Sequence, residues 1–324
     1  MQVKALYNLL RYNWLSDSSL EVQPWQIEDL RKVSIEELLI RLEKLEVPLD
    51  QEKFLMYAEN AHTPEELVDC LFVKEDDPSG FDQCYLLLFE LWRRLLPDKQ
   101  SLSIFCDELD ERIAFYDENE SADDELVQTS LEELEDILDE NVDHGEDPQE
   151  VFSVISSYCA HDLESFLYDF IVEQIDAENE MYASELVEGF YEYVADQRWF
   201  TFLRVILFSK AAPSEAKIML SRLLEHLQED PDFDLLIEIG NYLAHSEEND
   251  LFVQTIRQAF QLLEKEGHFQ ELLRTLMKFY QCCDNDVEFQ TLSQVALKRE
   301  SNDLDAPLNK NDHDFQSFKA RLHE

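Results

Sequence analysis

The chain has 324 residues, 45% of them apolar, and a formal net charge of −47 from 73 Asp and Glu against 26 Lys and Arg. That apolar content supports a folded core and excludes wholesale disorder, while only 5 Gly and 9 Pro starve the chain of hairpin turns and favour helices on short connections. The charge argues against duplex nucleic acid and anionic membranes as direct ligands, because both reward clustered Lys and Arg, which this sequence lacks.

In chain order, the opening MQVKALYNLLRYNWLSDSS sets Lys4 and Arg11 around a short apolar piece, without the uninterrupted apolar region of a signal peptide. The greasiest later pieces, Cys84 to Trp92 and Trp199 to Phe208, are interrupted by Glu90 and Arg204, so no membrane span is expected and the protein reads as cytoplasmic. Helical patterns fall at about 2–14, 25–33, 35–45, 51–60, 64–73, 81–96, 101–117 and 123–143. Ser34-Ile-Glu-Glu37 and Thr63-Pro-Glu-Glu66 read as capping boxes, a hydroxyl followed three places later by a Glu that can reach back. The charged stretches 74–80 and 117–124 read as exposed loops. The second is the expected boundary of an irregular helical N-terminal region, residues 1–120.

From Pro148 the start signals become periodic. Asp147-Pro148, Pro213-Ser214 and Asp230-Pro231 each open a helix, since proline suits the first helical turn. Helix pairs are expected at 148–160 with 162–177, 181–195 with 197–209, 213–228 with 231–245, and 249–266 with 268–283, then a helix at 286–299. Pairs begin 33, 32, 36 and 37 residues apart, the spacing of a stacked α-solenoid in which each antiparallel pair covers its neighbour's apolar stripe. The expected fold is therefore all-α, with an acidic helical-repeat domain over 121–300 and a largely disordered tail over 301–324. At Lys265-Glu-Gly-His-Phe-Gln-Glu-Leu-Leu273 the sequence resembles the inter-helix turn of a tetratricopeptide repeat, with Gly267 at the turn and Phe269 after it. It departs from that pattern in Leu272, where the family prefers a small residue, and in Asp196, which replaces the turn glycine of the pair at 181–209. The resemblance covers residues 148–300 at most and implies a peptide-binding scaffold.

Charge is concentrated: Ile113 to Gln197 holds 27 Asp and Glu and no Lys or Arg. Such a band is either a solvated face or an attractor for something cationic. Within it, Asp139-Glu-Asn-Val-Asp-His-Gly-Glu-Asp-Pro-Gln-Glu150 places acids and an amide at the first, third, fifth and twelfth positions of a calcium loop. His144 nevertheless stands where the loop's glycine belongs and Glu146 where an apolar residue belongs. Helix chemistry accounts for the same residues, with Gly145 after a helix end, Asp147 as cap, Pro148 in the first turn and Glu150 as return arm, so no metal site is expected.

Enzyme signatures are sparse. The glycines, at 80, 145, 189, 240 and 267, are too far apart for a phosphate cradle, and neither HExxH nor GxSxG occurs. Cys159-Ala-His161 puts thiol and imidazole two places apart, on different helix faces. Cys70, Cys84, Cys106, Cys159, Cys282 and Cys283 include no CxxC pair and read as reduced core thiols, five of them inside apolar helical patterns. A redox-sensitive vicinal pair at Cys282-Cys283 is the alternative, with no basic residue nearer than Lys278 to lower a thiol pKa. No catalytic residue and no cofactor are expected.

Tyr191, Tyr193, Trp199, Phe200, Phe202 and Phe208 crowd one expected helix pair, and core packing is their ordinary role. Some would instead line a groove. Tyr191, Trp199 and Phe202, rimmed by Glu188, Glu192 and Asp196, would suit a partner protein segment carrying both basic residues and an apolar anchor. The expected function is a non-enzymatic adaptor, scaffold or chaperone. Acidic tetratricopeptide-like chaperones of bacterial secretion systems are similar in size class, charge and repeat type. The alternatives are a nucleic-acid mimic that occupies the basic site of a DNA- or RNA-binding protein, and a hydrolase whose signature is not visible.

Overall fold

The computed structural model of the chain describes residues 11, 13–15, 17–73, 77–99, 101–118 and 125–322. Most of the first expected helix, and positions 74–76 and 119–124 of the two expected loops, lie outside the described residues. Among the described residues the chain is all-α, and the β-like features are limited to an isolated bridge between Lys265 and Pro307. The helices are α1 (Pro24–Ile27), α2 (Ile35–Lys44), α3 (Gln51–Ala58), α4 (Pro64–Leu71), α5 (Pro78–Leu95), α6 (Leu102–Glu118), α7 (Glu125–Asp143), α8 (Pro148–Ser156) and α9 (Leu163–Asp176). They continue with α10 (Glu180–Phe190), α11 (Gln197–Ala211), α12 (Pro213–Glu229), α13 (Phe233–Leu243), α14 (Asn249–Gln261), α15 (Glu266–Cys282), α16 (Asp286–Arg299) and α17 (His313–Leu322).

The chain forms two compact units, Met1–Glu173 with Glu188–Ala195, and Gln174–Val187 with Asp196–Glu324. The boundary expected near residue 120 falls inside the first unit, because α6 packs on α7 and α7 on α8. Leu38, Leu42, Phe54, Leu67, Val68, Leu88 and Trp92 make the core around α2 to α5. The expected caps form in their first half: Ser34 Oγ accepts from the Glu37 N–H and Thr63 Oγ1 from the Glu66 N–H, both at 3.3 Å. The return arms go elsewhere. Glu37 accepts from Arg41 Nε at 3.0 Å and Glu66 from the His62 N–H at 2.7 Å. The helix expected at 25–33 breaks at the extended Glu28 into α1 and a 3-10 turn, Leu30–Lys32, because the Asp29 carboxylate caps the turn through the Arg31 N–H. Arg94 on α5 then donates to the carbonyls of Val33, Leu30 and Arg31 at 2.7–2.8 Å and fixes that turn on the core.

In the later half, alternate helices start at residues 148, 180, 213, 249 and 286, intervals of 32, 33, 36 and 37. Within the second unit the closest packing joins α11 to α12, α13 to α14, and α15 to α16, one helix out of step with the pairs expected at 213–245 and 249–283. Ala212 alone separates α11 from α12, and Pro213 restarts the helix, so the chain turns there rather than after α12. Alternate helices also touch, α13 with α15 and α12 with α14. Gly240 permits the first of these contacts: a Cβ there would lie 3.0 Å from the Thr275 methyl.

Two expectations are overturned at the C-terminal end. Gly267 is not at an inter-helix turn; it lies in the first turn of α15, where its N–H donates to Leu304 O at 2.9 Å and a Cβ would meet that oxygen at 3.1 Å. The tail is ordered rather than disordered through residue 322. It runs antiparallel to residues 264–267, with Glu266 N–H on Ala306 O at 2.9 Å and Leu308 N–H on Glu264 O at 2.8 Å, and ends in α17. Its apolar residues are few but well placed. Leu308, Phe315 and Phe318 are buried, with Phe315 and Phe318 against Phe260 and Phe269 at ring distances of 5.3–5.7 Å.

Arg299 locks this arrangement. Buried at the end of α16, it donates from Nε and Nη2 to both oxygens of buried Glu266 at 2.7 and 2.5 Å, and from Nη1 to Asp312. Removing one partner of a buried ion pair strands the other charge, at a cost of about 3–5 kcal/mol. Arg299→Met is expected to lower the stability of the second unit by about that amount and to speed amide hydrogen exchange over 304–322. Unchanged exchange there would show that the aromatic contacts alone hold the tail.

Candidate functional site

The six sequence-predicted residues divide between the two units. Glu188, Tyr191 and Glu192 belong to the first unit, and Asp196, Trp199 and Phe202 to the second. Glu188 and Glu192 are exposed and Tyr191 is half-buried. Phe202, 1% exposed, is a core residue with its ring edge-on to Tyr242 at 5.7 Å, because α11 turns positions 202, 203 and 205 inward together. Asp196 and Trp199 hold structure. The Asp196 carboxylate caps α11 and pairs with Arg198 at 2.8 and 2.6 Å. Arg198 also bonds Asp230 at 3.0 Å, and the Trp199 indole N–H donates to Asp232 at 3.2 Å. Burial works against ionisation of Asp196, but the hydrogen bonds from Arg198 outweigh it and hold the carboxyl below its ordinary range.

A different cluster emerges in the first unit, where the last turns of α6 meet α9. Tyr116 stands edge-on to Phe166 at 6.4 Å and Phe170 at 5.5 Å, while Phe166 and Phe170 stack at 5.8 Å. Phe115 beside them is 55% exposed. The Tyr116 hydroxyl donates to Glu173, one turn beyond Asp169 on α9. Asp117 and Asp169 are both raised above the ordinary carboxylate range. Partial burial is the larger cause for each; Glu173 repels both, and His161 draws Asp117 back. The turn into α9 is fixed from α6: Asp110 accepts the Ala160 N–H at 2.8 Å, the His161 N–H at 3.1 Å and, at 2.8 Å, pairs with His161 Nδ1. Rings flanked by three mutually repelling carboxylates suit an organic cation such as Lys or Arg, which neutralises the acids and can rest on an aromatic face. The signal in the sequence was the run Phe115-Tyr116-Asp117, but only folding brings it against Phe166, Asp169 and Glu173.

In the stretch 139–150, Asp139, Asn141 and Asp143 lie within α7, Gly145 takes φ +99°, and Asp147 caps α8 by accepting from Gln149 and Glu150 at 3.1 and 3.2 Å. The Tyr193 hydroxyl donates to Asp139. Expected on different faces of a helix, Cys159 and His161 instead both lie in the connection between α8 and α9 and find separate partners. His161 turns to Asp110, while the Cys106 thiol and burial push the Cys159 thiol well above its usual range. The expectation of core thiols holds for Cys84, Cys106 and Cys159 and fails for Cys70, Cys282 and Cys283, which are exposed.

Comparison of the chain with protein families, curated proteins and solved structures finds no match in any of the three.

The raised carboxyls set a pH dependence. Burial pushes Asp107 up to about 6, against the opposing charges of Arg31 and Arg93, and Asp117 and Asp169 shift the same way. A carboxyl whose folded pKa exceeds its unfolded value binds its proton more tightly in the folded state, so stability grows as pH falls through the folded value. Asp29, Asp196, Glu266 and Asp312 are lowered instead, and their contribution is lost at more acid pH. The thermal midpoint is expected to rise from pH 7 to about 5 and to fall below about 4. A midpoint that declines steadily from pH 7 would contradict the placement of these acids. Added monovalent salt at pH 7 is expected to raise the midpoint by screening their repulsion.

Proposed function

We propose that the chain is a non-enzymatic interaction scaffold, an adaptor or chaperone that binds a basic, amphipathic segment of a partner protein on an acidic helical surface. The observation that carries this reading is the pairing of Asp117, Asp169 and Glu173 with exposed Phe115 and the Tyr116–Phe166 platform. Basic side chains of the partner would meet the carboxylates, and its apolar anchor the rings. The surrounding band, Ile113 to Gln197, contributes no Lys or Arg of its own, so a cationic segment approaches along a field of one sign. Helix starts in the thirties of residues support a tetratricopeptide-like, peptide-binding architecture for the later half. Six free cysteines fit a reducing cytoplasm, and the net charge repels nucleic acid and anionic membranes.

The reading is tested by calorimetric titration with a synthetic peptide that alternates Lys or Arg with Leu and Trp. Affinity in the micromolar range is expected, weakening by about tenfold as ionic strength rises from low to physiological values. Asp169→Asn with Glu173→Gln, and separately Phe115→Ala, should each weaken binding by about five- to tenfold. Equal binding of oligolysine, with no effect of Phe115→Ala, would reduce the surface to a nonspecific polyanion.

A further inference from the structure

The seam between α13 and α15 carries a chemistry that the sequence conceals. Gly240 lets the two helices approach, and polar groups line their contact. Asn241 Oδ1 accepts from Thr275 Oγ1 at 3.2 Å and from Lys278 Nζ at 3.0 Å. At the last residue of α15, Cys282 Sγ lies 3.2 Å from Nδ1 of His245, which stands in the turn just after the end of α13. Thr275, Lys278 and Cys282 recur at three- and four-residue steps on one face of α15, and they meet Asn241 on α13 and His245 in the turn that follows it. Cys282 and His245 are both exposed. In sequence they are 37 residues apart, and nothing links them until the helices pack.

We propose that Cys282, with His245 as its base, is a thiol-modification site for small anionic disulfides. An imidazole at hydrogen-bond distance activates a thiol by taking its proton. With its own proton on Nε2, His245 accepts the Sγ proton at Nδ1. The thiolate attacks one sulfur of the disulfide; a bond forms between that sulfur and Cys282 Sγ as the original S–S bond breaks, and the departing thiolate takes the proton back from the imidazolium. One thiol and one disulfide thus become a mixed disulfide and a new thiol, with no other oxidant. Lys278 sets the preference for an anionic reagent. Its hydrogen-bond partner is a neutral amide oxygen, so its charge faces the reagent's carboxylates in a protein otherwise dominated by acids. The other cysteines lack this arrangement. Burial pushes Cys84 up to about 12, Cys159 is buried against Cys106, and Cys283 caps the end of α15. Cys70 is exposed in the last turn of α4, which makes it a matched comparison, since both thiols lie near the negative end of a helix dipole.

The test uses the full chain, about 1 mM oxidised glutathione near neutral pH, acid quenching and mass spectrometry with fragmentation to separate Cys282 from Cys283. Cys282 is expected to be thiolated about tenfold faster than Cys70. His245→Gln should remove that advantage while leaving the Cys70 rate unchanged, and an unaltered amide hydrogen-exchange pattern over 266–282 reports that the second unit, which holds both His245 and Cys282, is intact. Lys278→Gln should slow the reaction with oxidised glutathione but not with neutral hydroxyethyl disulfide. If Cys282 reacts no faster than Cys70, or if His245→Gln leaves its rate unchanged, the site is overturned. If Lys278→Gln affects both reagents equally, the anionic preference is overturned.

Discussion

Cations are the scarce component of this molecule, and the fold depends on where they go. With 26 Lys and Arg against 73 acids, a uniform scatter of surface pairs would stabilise little, because exposed pairs contribute about 0–1 kcal/mol. Four arginines sit instead at junctions. Arg94 gathers three carbonyls of the 3-10 turn, Arg31 reaches buried Asp107 at 2.6 Å, Arg198 joins Asp196 to Asp230, and Arg299 clasps Glu266 and Asp312. A planar guanidinium offers five donors in a fixed fork, so one side chain can close several ends at once. Lysine, a single charge on a flexible stem, takes lesser parts at exposed positions such as Lys210 with Glu180.

That allocation shapes the surface. Arg112, Arg198 and Lys210, just outside the band from Ile113 to Gln197, reach in to Glu133, Asp196 and Glu180. Within the band, acids are met by hydroxyls, Tyr116 on Glu173 and Tyr193 on Asp139. A hydroxyl satisfies a carboxylate's lone pair without cancelling its charge. The field therefore persists at the surface, and aromatic rings beside it supply apolar area. Both properties follow from using neutral donors where an arginine would have ended the attraction.

The second unit solves a different problem, the exposed apolar face that the last of a series of helices leaves behind. Here the closing element comes from the tail. Antiparallel hydrogen bonds at 264–267 seat it, Arg299 holds it, and Phe315 with Phe318 covers Phe260 and Phe269. The same tight packing of alternate helices, allowed by Gly240, creates the seam in which Cys282 finds His245.

By itself the sequence determined what short-range physics controls. Caps at Ser34, Thr63 and Asp147, the prolines that open helices at 148 and 213, and the left-handed Gly145 all depend on residues within a few places of one another. The start expected at Asp230-Pro231, by contrast, moves to Phe233 with Asp232 as its cap. The concentration of acid needed only counting. Tertiary structure decided everything that turns on which face a helix presents and to what. Phe202 is core and not groove, because its neighbours on α11 share the inward face. The last 24 residues look too polar to fold, yet three well-placed apolar side chains and one arginine hold residues 304–322. The acid and aromatic cluster at Tyr116, and the pairing of Cys282 with His245, join residues 57 and 37 positions apart. No local pattern encodes such a meeting; it arises only when burial of the apolar stripes fixes helix rotation and register.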